Sequence, residues 1–241
     1  MTRSRPQILL AIDTSTRTVG LAIYDGVQVL GEMSWSSRDY HTVELAPAVR
    51  GLLERCTLQP AELGALGVAL GPGSFTGLRI GLALAKGIAL AQNLPIVGLP
   101  SLDVLACAQP VEAGCLAAIL RAGRGRLAVG WYQPAAGRDI AQAGAWQATG
   151  RIEVLTPEEL GERIQEPTQV CGELNEEERR LLGRKRKNVL LASPAQSLRR
   201  PSFLAELAWQ RWQSGRVDDP ATLSPVYLHY NEPIPGGISA R

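Results

Sequence analysis

The sequence has few of the residues that build metal centres and disulfide frameworks. Its 241 residues include 2 histidines and 4 cysteines, and no two cysteines form a Cys-x-x-Cys pair. A zinc site is built from closely spaced Cys and His ligands, so we do not expect one here. The wide spacing of Cys56, Cys107, Cys115 and Cys171 instead indicates buried, reduced thiols of a cytosolic protein.

Long hydrophobic runs and a large net charge are also missing. The longest stretch without a charged residue, 87–102, contains prolines, whereas a membrane-spanning helix needs about 20 consecutive apolar residues. The apolar run near the N-terminus ends at Asp13, which is too early for a signal peptide. The formal net charge is +2, so any basic patch must be local. We therefore expect a cytoplasmic globular protein with no membrane segment.

The N-terminal part of the chain alternates between short apolar runs and helical spacing. The runs predict strands, and Asp25-Gly26 between two of them is a strong hairpin signal. Apolar residues three and four positions apart predict two helices. In chain order the expected elements are strands at 7–13, 19–24 and 27–33, a helix at 42–56, a strand at 66–70, a helix at 74–92 and a strand at 94–98. A three-strand meander continued by right-handed crossovers is typical of an α/β lobe.

The rest of the chain predicts a second, smaller set of elements. Strands are expected at 115–120 and 127–132, and helices at 102–108, 157–164, 176–187 and 202–213, while 133–150 has no clear period. We divide the chain into an N-terminal lobe (1–100), a smaller C-terminal lobe (101–200), a helix and strand that can return to the first lobe (201–229) and a disordered tail (230–241).

The loop between the first two expected strands reads Asp13-Thr-Ser-Thr16. A carboxylate at the end of a buried strand, followed by hydroxyl groups in a tight turn, can hold phosphate and a hydrated magnesium ion. The same residues suit a solvated turn in which Asp13 accepts local amide hydrogen bonds. Asp13, Thr14, Ser15 and Thr16 are therefore candidate nucleotide-binding or phosphate-binding residues, with the simple turn as the alternative.

A second motif, Gly71-Pro-Gly-Ser-Phe-Thr-Gly77 (the glycine motif), opens the second expected helix. Glycine-rich turns before helices can bind anions, but this spacing matches neither the dinucleotide fingerprint nor the P-loop. Ser74 suits a helix N-cap, and Gly77, Gly81 and Ala85 form a stripe of small residues that lets another helix approach closely. Packing is the better interpretation of this motif.

The two N-terminal helices have more apolar positions than one face of a sheet would cover. This excess predicts a helix-pair interface with another chain, with a larger core as the alternative. The helix at 176–187 ends in a basic run that could contact RNA phosphate. Because glutamates precede the run and no aromatic residue interrupts it, a solvated charged helix with a Glu176–Arg180 pair is the better interpretation.

These residues resemble the bacterial TsaB (YeaZ) family. The resemblance lies in Leu10-Ala-Ile-Asp-Thr-Ser-Thr16, the glycine motif continued by Leu78-Arg-Ile-Gly81, His41, and Leu94-Pro-Ile-Val-Gly98 followed by Ser101-Leu102. It is dense over 8–105 and thin beyond. There, Pro225-Val-Tyr-Leu228 is similar to the family's C-terminal motif, with His229 in place of an arginine.

The resemblance implies an actin/Hsp70/sugar-kinase-like (ASKHA) fold of two duplicated, RNase H-like α/β lobes. It also implies a non-catalytic subunit of the complex that makes threonylcarbamoyladenosine beside the anticodon of tRNAs reading codons that begin with A. In that family the paralogue TsaD holds the metal and transfers the threonylcarbamoyl group from its adenylate, and the ATPase TsaE joins them. This chain would then form a heterodimer with TsaD, reach tRNA only through the complex, and form a homodimer when alone.

The family's pairing surface is the pair of N-terminal helices, the same surface that the apolar excess predicts. The candidate partner contacts are His41, Leu45, Val49, Leu52, Phe75, Gly77, Leu78, Gly81, Leu82 and Lys86. On this hypothesis a bulky residue at Gly81 would abolish pairing and leave the monomer folded. The resemblance implies no required cofactor and no metal site, and it leaves weak binding of ATP, ADP or magnesium open.

A stand-alone ATPase or kinase of the same fold is the alternative function. It would need Asp13, a carboxylate from the second lobe and an adenosine-binding glycine pair, for which Gly123-Arg-Gly125 and Gly236-Gly237 are the candidates. A metallopeptidase is the less favoured alternative. TsaD proteins carry a His-x-x-x-His metal motif, and this chain has His41 followed by Leu45 at that spacing.

Overall fold

The structure, a computed structural model, describes residues 7–37, 41–136, 145–184 and 187–228. The strands in this part of the chain are β1 Leu9–Asp13, β2 Thr18–Tyr24, β3 Val29–Ser36, β4 Ala65–Gly71, β5 Ile96–Pro100, β6 Cys115–Gly123, β7 Arg126–Pro134, β8 Trp146–Ala148, β9 Glu153–Leu155, β10 Thr168–Gly172 and β11 Val189–Leu191. The α-helices are α1 His41–Arg55, α2 Phe75–Gln92, α3 Ser101–Cys107, α4 Pro157–Arg163, α5 Glu176–Gly183 and α6 Pro201–Gln213, and a 3-10 turn lies at Pro60–Glu62.

The strands form two sheets with the same topology. The first sheet has the order β3-β2-β1-β4-β5, and the second has β8-β7-β6-β10-β11, with β9 also paired to β7. In each sheet the first strand in sequence pairs antiparallel with the second and parallel with the strand that follows the first crossover helix. The chain is therefore a duplication of one α/β lobe, which confirms the predicted fold class.

Helices α3 and α6 connect the two lobes by crossing between them. Helix α3 follows β5 of the first sheet, but Leu102 and Leu105 pack on Leu116 and Leu120 of the second sheet. Helix α6 follows β11 of the second sheet and packs its apolar face on the first sheet. Each lobe is thus covered by a helix that follows a strand of the other lobe. Each hydrophobic core therefore includes a helix contributed by the other lobe.

The first sheet lies between helices on both faces. Helices α1 and α2 cover one face, where Leu45, Val49 and Leu82 join the buried side chains of β1, β2 and β4. Helix α6 covers the other face, which is lined by small residues such as Ala11 and Ala22. Burial on both faces explains why β1 reads as a continuous apolar run instead of an alternating one.

The second lobe departs most from the sequence-based expectation. Strands β8, β9, β10 and β11 were not predicted, and α5 ends at Gly183 instead of continuing to Lys187. Strand β10 is fully buried but contains two polar residues, and the other three strands have three residues each, which is too short for a periodic signal. Glycine is a poor helix former, which accounts for the early end of α5.

The segment after α6 runs along the edge of the first sheet. A strand was expected within 201–229, but the described residues up to Leu228 form an isolated bridge between Ile96 and Asp218 instead. Further along, the Val226 amide donates to the Leu70 carbonyl at 2.7 Å. The tail expected at 230–241 lies outside the described residues. In the part of the chain that the structure describes, no helix has the length and apolar character needed to cross a membrane.

Candidate functional site

The glycine motif packs against the loop that follows β1. The Ser74 amide donates to the Ser15 carbonyl at 2.6 Å, and Thr14 Oγ1 donates to the Gly77 carbonyl at 2.7 Å. A Cβ atom at Gly73 would lie 2.0 Å from the Ser15 carbonyl oxygen, and one at Gly77 would lie 2.3 Å from that of Thr14. These glycines are therefore required because the backbone of one loop lies directly against the other.

The small-residue stripe of α2 faces the same loop. A Cβ atom at Gly81 would lie 2.1 Å from Thr14 Oγ1, which is itself buried. The interpretation of the stripe as a packing surface is confirmed, but its nearest neighbour is the protein's own Asp13–Thr16 loop. The expectation that Gly77 and Gly81 admit a partner helix is corrected accordingly, and a bulky residue at Gly81 would disturb the monomer itself.

The loop is also tied to the start of α3. The Ser15 and Ser101 hydroxyl oxygens lie 2.5 Å apart, and Ser101 Oγ accepts a hydrogen bond from the Gly71 amide at 3.1 Å. Ser15 and Ser101 are both fully buried. The loop, the glycine motif and the first turn of α3 thus form one hydrogen-bonded unit at the base of the cleft between the lobes.

A buried arginine joins this unit to the second lobe. Arg199 Nε donates directly to Asp13 Oδ2, and Arg199 Nη1 donates to Glu173 Oε1 at 3.3 Å. Thr16 Oγ1 lies between them, accepting from Arg199 Nη2 at 3.1 Å and donating to Glu173 Oε1 at 2.6 Å. Asp13 ends a strand of the first lobe, whereas Glu173 directly follows β10 of the second. Arg199 therefore bridges one carboxylate from each lobe.

The electrostatics of this bridge depend on burial. The side chains of Arg199 and Asp13 are 2% and 1% exposed. Burial opposes the charge of the guanidinium, but the attraction of Asp13 and then of Glu173 outweighs it and holds the pKa of Arg199 above its ordinary value. The arginine thus stays charged inside the protein and satisfies both acids.

Each of the four candidate phosphate-binding residues makes hydrogen bonds within the protein. Asp13, Thr14 and Ser15 are almost completely buried, and Thr16 reaches the cleft with its hydroxyl group bonded to Glu173. Asp13 Oδ1 accepts from the Ser15 amide at 2.9 Å, which is the local hydrogen bond expected in the alternative, but the turn is buried and not solvated. Binding of nucleotide or magnesium by these residues stays a prediction, and it would require these internal bonds to break.

Sequence reasoning did not find Arg199 or Glu173. The arginine lies 186 positions after Asp13, and its only sequence signal is its place in an Arg-Arg pair before Pro201, which opens α6. Glu173 lies shortly before the three glutamates that open α5 and is not distinguished from them in sequence. Partners so far apart are identified by the fold alone.

The cleft between the lobes has a volume of about 1040 Å³. Its first-lobe wall includes Arg17 and the glycine motif, and its second-lobe wall includes Arg121 and Asn175. Arg121 makes a two-pronged ion pair with Glu178, at 3.2 and 2.8 Å, and Glu178 also accepts from the Asn175 amide at 2.7 Å. The acids on this wall are consequently paired inside the protein.

Three side chains form a cluster at the mouth of the cleft. Arg79 Cζ lies 3.7 Å from the centre of the Phe75 ring, and Arg79 Nε donates to Tyr227 Oη at 2.9 Å. The Phe75 and Tyr227 rings lie 4.9 Å apart at an angle of 34°. Phe75 nevertheless remains 53% exposed, which leaves one side of the cluster open to solvent.

The candidate partner contacts on α1 and α2 divide into two groups. The buried group lies in the core with at most 6% exposure: Leu45, Val49, Leu52, Leu78 and Leu82. Phe75 is exposed and Lys86 is half-buried, while His41 begins α1 and its side chain lies outside the described part of the chain. The expected helix face is therefore corrected, because the stripe with the strongest apolar spacing is the one that packs on the sheet.

The opposite faces of α1 and α2 point to solvent and carry apolar residues of their own. Val43 of α1 is 69% exposed and Leu90 of α2 is 86% exposed, while Ala83 of α2 is exposed and Ile80 is half-buried. A groove of about 430 Å³ between the two helices is lined by residues that include Ala46, Leu53, Leu84 and Ile88. Some of the apolar positions of the two helices are therefore exposed on these outer faces, while others, such as Leu78 and Leu82, are part of the core.

The basic run lies at the far end of α5. Arg180 pairs with Glu176 at 2.7 Å one helical turn away, as predicted, and both side chains are exposed. Arg179 donates to the Ala192 carbonyl at 2.6 Å. Within the described residues, no three His, Cys, Asp or Glu side chains converge on a point that could hold a metal ion.

Two duplicated lobes with helices crossing a central cleft define a protein of the actin/Hsp70/sugar-kinase-like class. The family model described as "TsaD: tRNA N6-adenosine threonylcarbamoyltransferase" matches residues 28–175. The protein named tRNA threonylcarbamoyladenosine biosynthesis protein TsaB of Bacillus subtilis is 40% identical over 125 residues, which are 52% of this chain and 55% of that protein. The protein of the same name from Escherichia coli is 32% identical over 160 residues, 66% of each chain.

Two solved structures are similar over nearly the whole chain. YeaZ from Pseudomonas aeruginosa has a TM-score of 0.72 and 27% identity, covering 92% of this chain and 99% of that one. A second, described as an uncharacterized protein with similarity to peptidase YEAZ from Pseudomonas aeruginosa, has a TM-score of 0.74 and 26% identity with the same coverage. The chain belongs to the family of the matching model, and within it to the TsaB (YeaZ) proteins. The alignments to the Bacillus subtilis and Escherichia coli relatives span 55% and 66% of the length of those proteins.

Proposed function

We propose that this chain is a non-catalytic subunit of the bacterial tRNA threonylcarbamoyladenosine synthase, which binds and supports TsaD. TsaD would transfer the threonylcarbamoyl group to the adenosine beside the anticodon of tRNAs that read codons beginning with A. The names of the Bacillus subtilis and Escherichia coli relatives support a role in this modification. TsaE would join the complex, tRNA would be reached through it, and the chain would act in the cytoplasm.

The outer face of α1 and α2 is the observation that carries the proposal. Apolar side chains such as Val43, Ile80 and Leu90 are exposed or half-buried there, beside an apolar groove between the helices. Exposed apolar side chains beside an apolar groove are typical of a protein–protein interface. Helix pairs that pack face to face can bury such a surface on both partners, so the same face could serve the heterodimer and the homodimer in turn.

The buried arginine bridge argues against the ATPase or kinase alternative. That alternative needs free carboxylates from both lobes at the base of the cleft to hold magnesium through water. Asp13 and Glu173 are the carboxylates in that place, and Arg199 is bonded to both of them. A cation is thus already supplied by the chain, which supports a role that requires no cofactor.

Light scattering of the pure chain, alone and then mixed with TsaD from the same organism, tests the proposal. We expect a homodimer alone and a stable one-to-one complex with TsaD that replaces it. If the two proteins do not associate and the pure chain hydrolyses ATP, the ATPase alternative is correct.

A charge placed on the outer face of α2 should weaken pairing with TsaD and leave the fold of the monomer unchanged. Ala83 is exposed in the middle of that face, so Ala83→Glu keeps the helix intact but buries a carboxylate against the partner. An unpaired buried charge costs several kcal/mol, so we expect the affinity for TsaD to fall by about 100-fold or more. Titration calorimetry of the two proteins gives the affinity.

The matched control is Ala148→Glu, which places the same charge on an exposed residue of the second lobe. It should leave the affinity for TsaD unchanged. Equal affinities for the wild type and Ala83→Glu would show that the outer face is not the pairing surface.

A further inference from the structure

The mouth of the cleft combines arginine side chains with an open aromatic surface. Phe75, Arg79 and Tyr227 form the cluster described above, and Arg17 and Tyr227 line the cleft beside it. On the opposite wall, Gly123 lines the cleft, and Arg124 follows it at the exposed tip of the β6–β7 hairpin. We call Arg17, Phe75, Arg79, Arg124 and Tyr227 the arginine–aromatic mouth.

The charge of this mouth is not balanced by the acids near it. Glu173 is bonded to Arg199 and Thr16, and Glu178 is bonded to Arg121. Within the described residues, Arg17, Arg79 and Arg124 lie outside ion-pair distance of any carboxylate. An acidic ligand entering the cleft would therefore meet guanidinium groups whose charge is not already neutralised.

The cluster also holds its exposed aromatic ring in place. Tyr227 is held in place because the chain before it is fixed to the first sheet, where Val226 bonds to Leu70. Arg79 stacks on one side of Phe75 and bonds to Tyr227, so the ring is oriented and not free to rotate into the core. Such a preordered ring beside arginines suits a ligand that alternates flat bases with phosphate groups.

We propose that the arginine–aromatic mouth binds a single-stranded segment of RNA directly. Unpaired bases stack on aromatic rings and guanidinium planes, while the arginines contact the phosphodiester backbone. An acidic peptide would use the arginines but would gain little from the exposed part of the Phe75 ring. The inference goes beyond the proposed function, in which RNA reaches this subunit only through the complex.

Binding of a fluorescently labelled, single-stranded 12-nucleotide RNA to the full chain, followed by anisotropy over a salt series, tests the proposal. The experiment uses the chain without TsaD, so its outcome does not depend on whether the partner role is correct. For three arginine contacts we expect log K to fall with log salt at a slope of about −2. Replacing the RNA by AMP or by inorganic phosphate distinguishes a strand from its free components, and both should bind much more weakly than the strand.

The variants Phe75→Leu and Arg17→Gln distinguish the contribution of base stacking to RNA affinity from the contribution of charge. Phe75→Leu keeps an apolar side chain but removes the ring face, and we expect it to weaken binding by about tenfold with an unchanged salt slope. Arg17→Gln should reduce the magnitude of the slope by about 0.7. The control is Arg50→Gln, because Arg50 is an exposed arginine of α1 that does not line the cleft and is paired with Glu54.

The proposal is overturned if the wild type does not bind the strand at low salt. It is also overturned if Arg50→Gln weakens binding as much as Arg17→Gln, or if AMP binds as tightly as the strand. Thermal unfolding of each variant confirms that the folded protein is being compared.

Discussion

Replacing Arg199 by methionine is expected to lower the free energy of unfolding by about 3–5 kcal/mol. The side chain is 2% exposed and is the only cation bonded to Asp13 among the described residues. Methionine fills similar space but leaves Asp13 buried without its counter-charge and Glu173 without one of its donors. Breaking a buried pair from one side is costly because the remaining charge has lost both water and its partner. Urea unfolding followed by circular dichroism measures the change.

The neighbouring arginine provides the matched control. Arg200 pairs with Glu32, but its side chain is 53% exposed, so solvent screens the pair. Arg200→Met should therefore cost about 1 kcal/mol or less. If the two variants are destabilised equally, the buried bridge between the lobes stabilises the fold no more than the exposed Arg200–Glu32 pair does.

The bridge also explains how the two lobes are held in one arrangement. Arg199 lies between β11 and α6, so the segment that returns the chain to the first lobe carries the cation that joins them. Thr18 contributes its carbonyl to the same guanidinium, at 3.3 Å. Because the contacts come from both lobes and from the crossing segment, loss of the arginine should loosen the cleft as well as lower stability.

The first lobe could be predicted from the sequence because its signals are local. Apolar runs, the Asp-Gly turn and helical spacing place β1 to β5, α1 and α2 within a few residues of the observed bounds. Ser74 was expected as an N-cap, and its hydroxyl accepts from the Gly77 amide at 3.2 Å. Such features depend on residues close in the chain, which is why pattern alone finds them.

The contacts between distant segments could not be predicted in the same way. Spacing shows that Gly77 and Gly81 share one face of α2, but it does not reveal that the facing surface is the Asp13–Thr16 loop. It likewise shows that Leu45 and Leu82 are apolar and periodic without saying whether the sheet or a partner covers them. In both cases residues of the same chain cover the face in question.

Gly81→Ala should therefore destabilise the folded monomer instead of merely weakening a complex. The added methyl group would lie 2.1 Å from Thr14 Oγ1 and 3.2 Å from Thr14 Cβ and Cγ2. Thr14 cannot move without losing its hydrogen bond to the Gly77 carbonyl. Overpacking a buried site costs about 1–3 kcal/mol, which exceeds the gain of about 1 kcal/mol from replacing glycine by alanine in a helix. Chemical denaturation measures the free energy of unfolding.

Two further variants test whether the contact between Gly81 and Thr14 causes the loss of stability. Gly87 lies in the same helix with nothing within 4 Å of an added Cβ, so Gly87→Ala should stabilise the protein by up to about 1 kcal/mol. In the Thr14→Ala background the hydroxyl and methyl groups that meet the new side chain are gone, so Gly81→Ala should cost much less there. A coupling energy near zero in this double-mutant cycle would mean that the close approach of α2 to the loop is not what requires glycine. A large coupling, in which the double variant loses less stability than the two single variants together, would instead place the need for this glycine inside the monomer if light scattering shows the same mass for every variant.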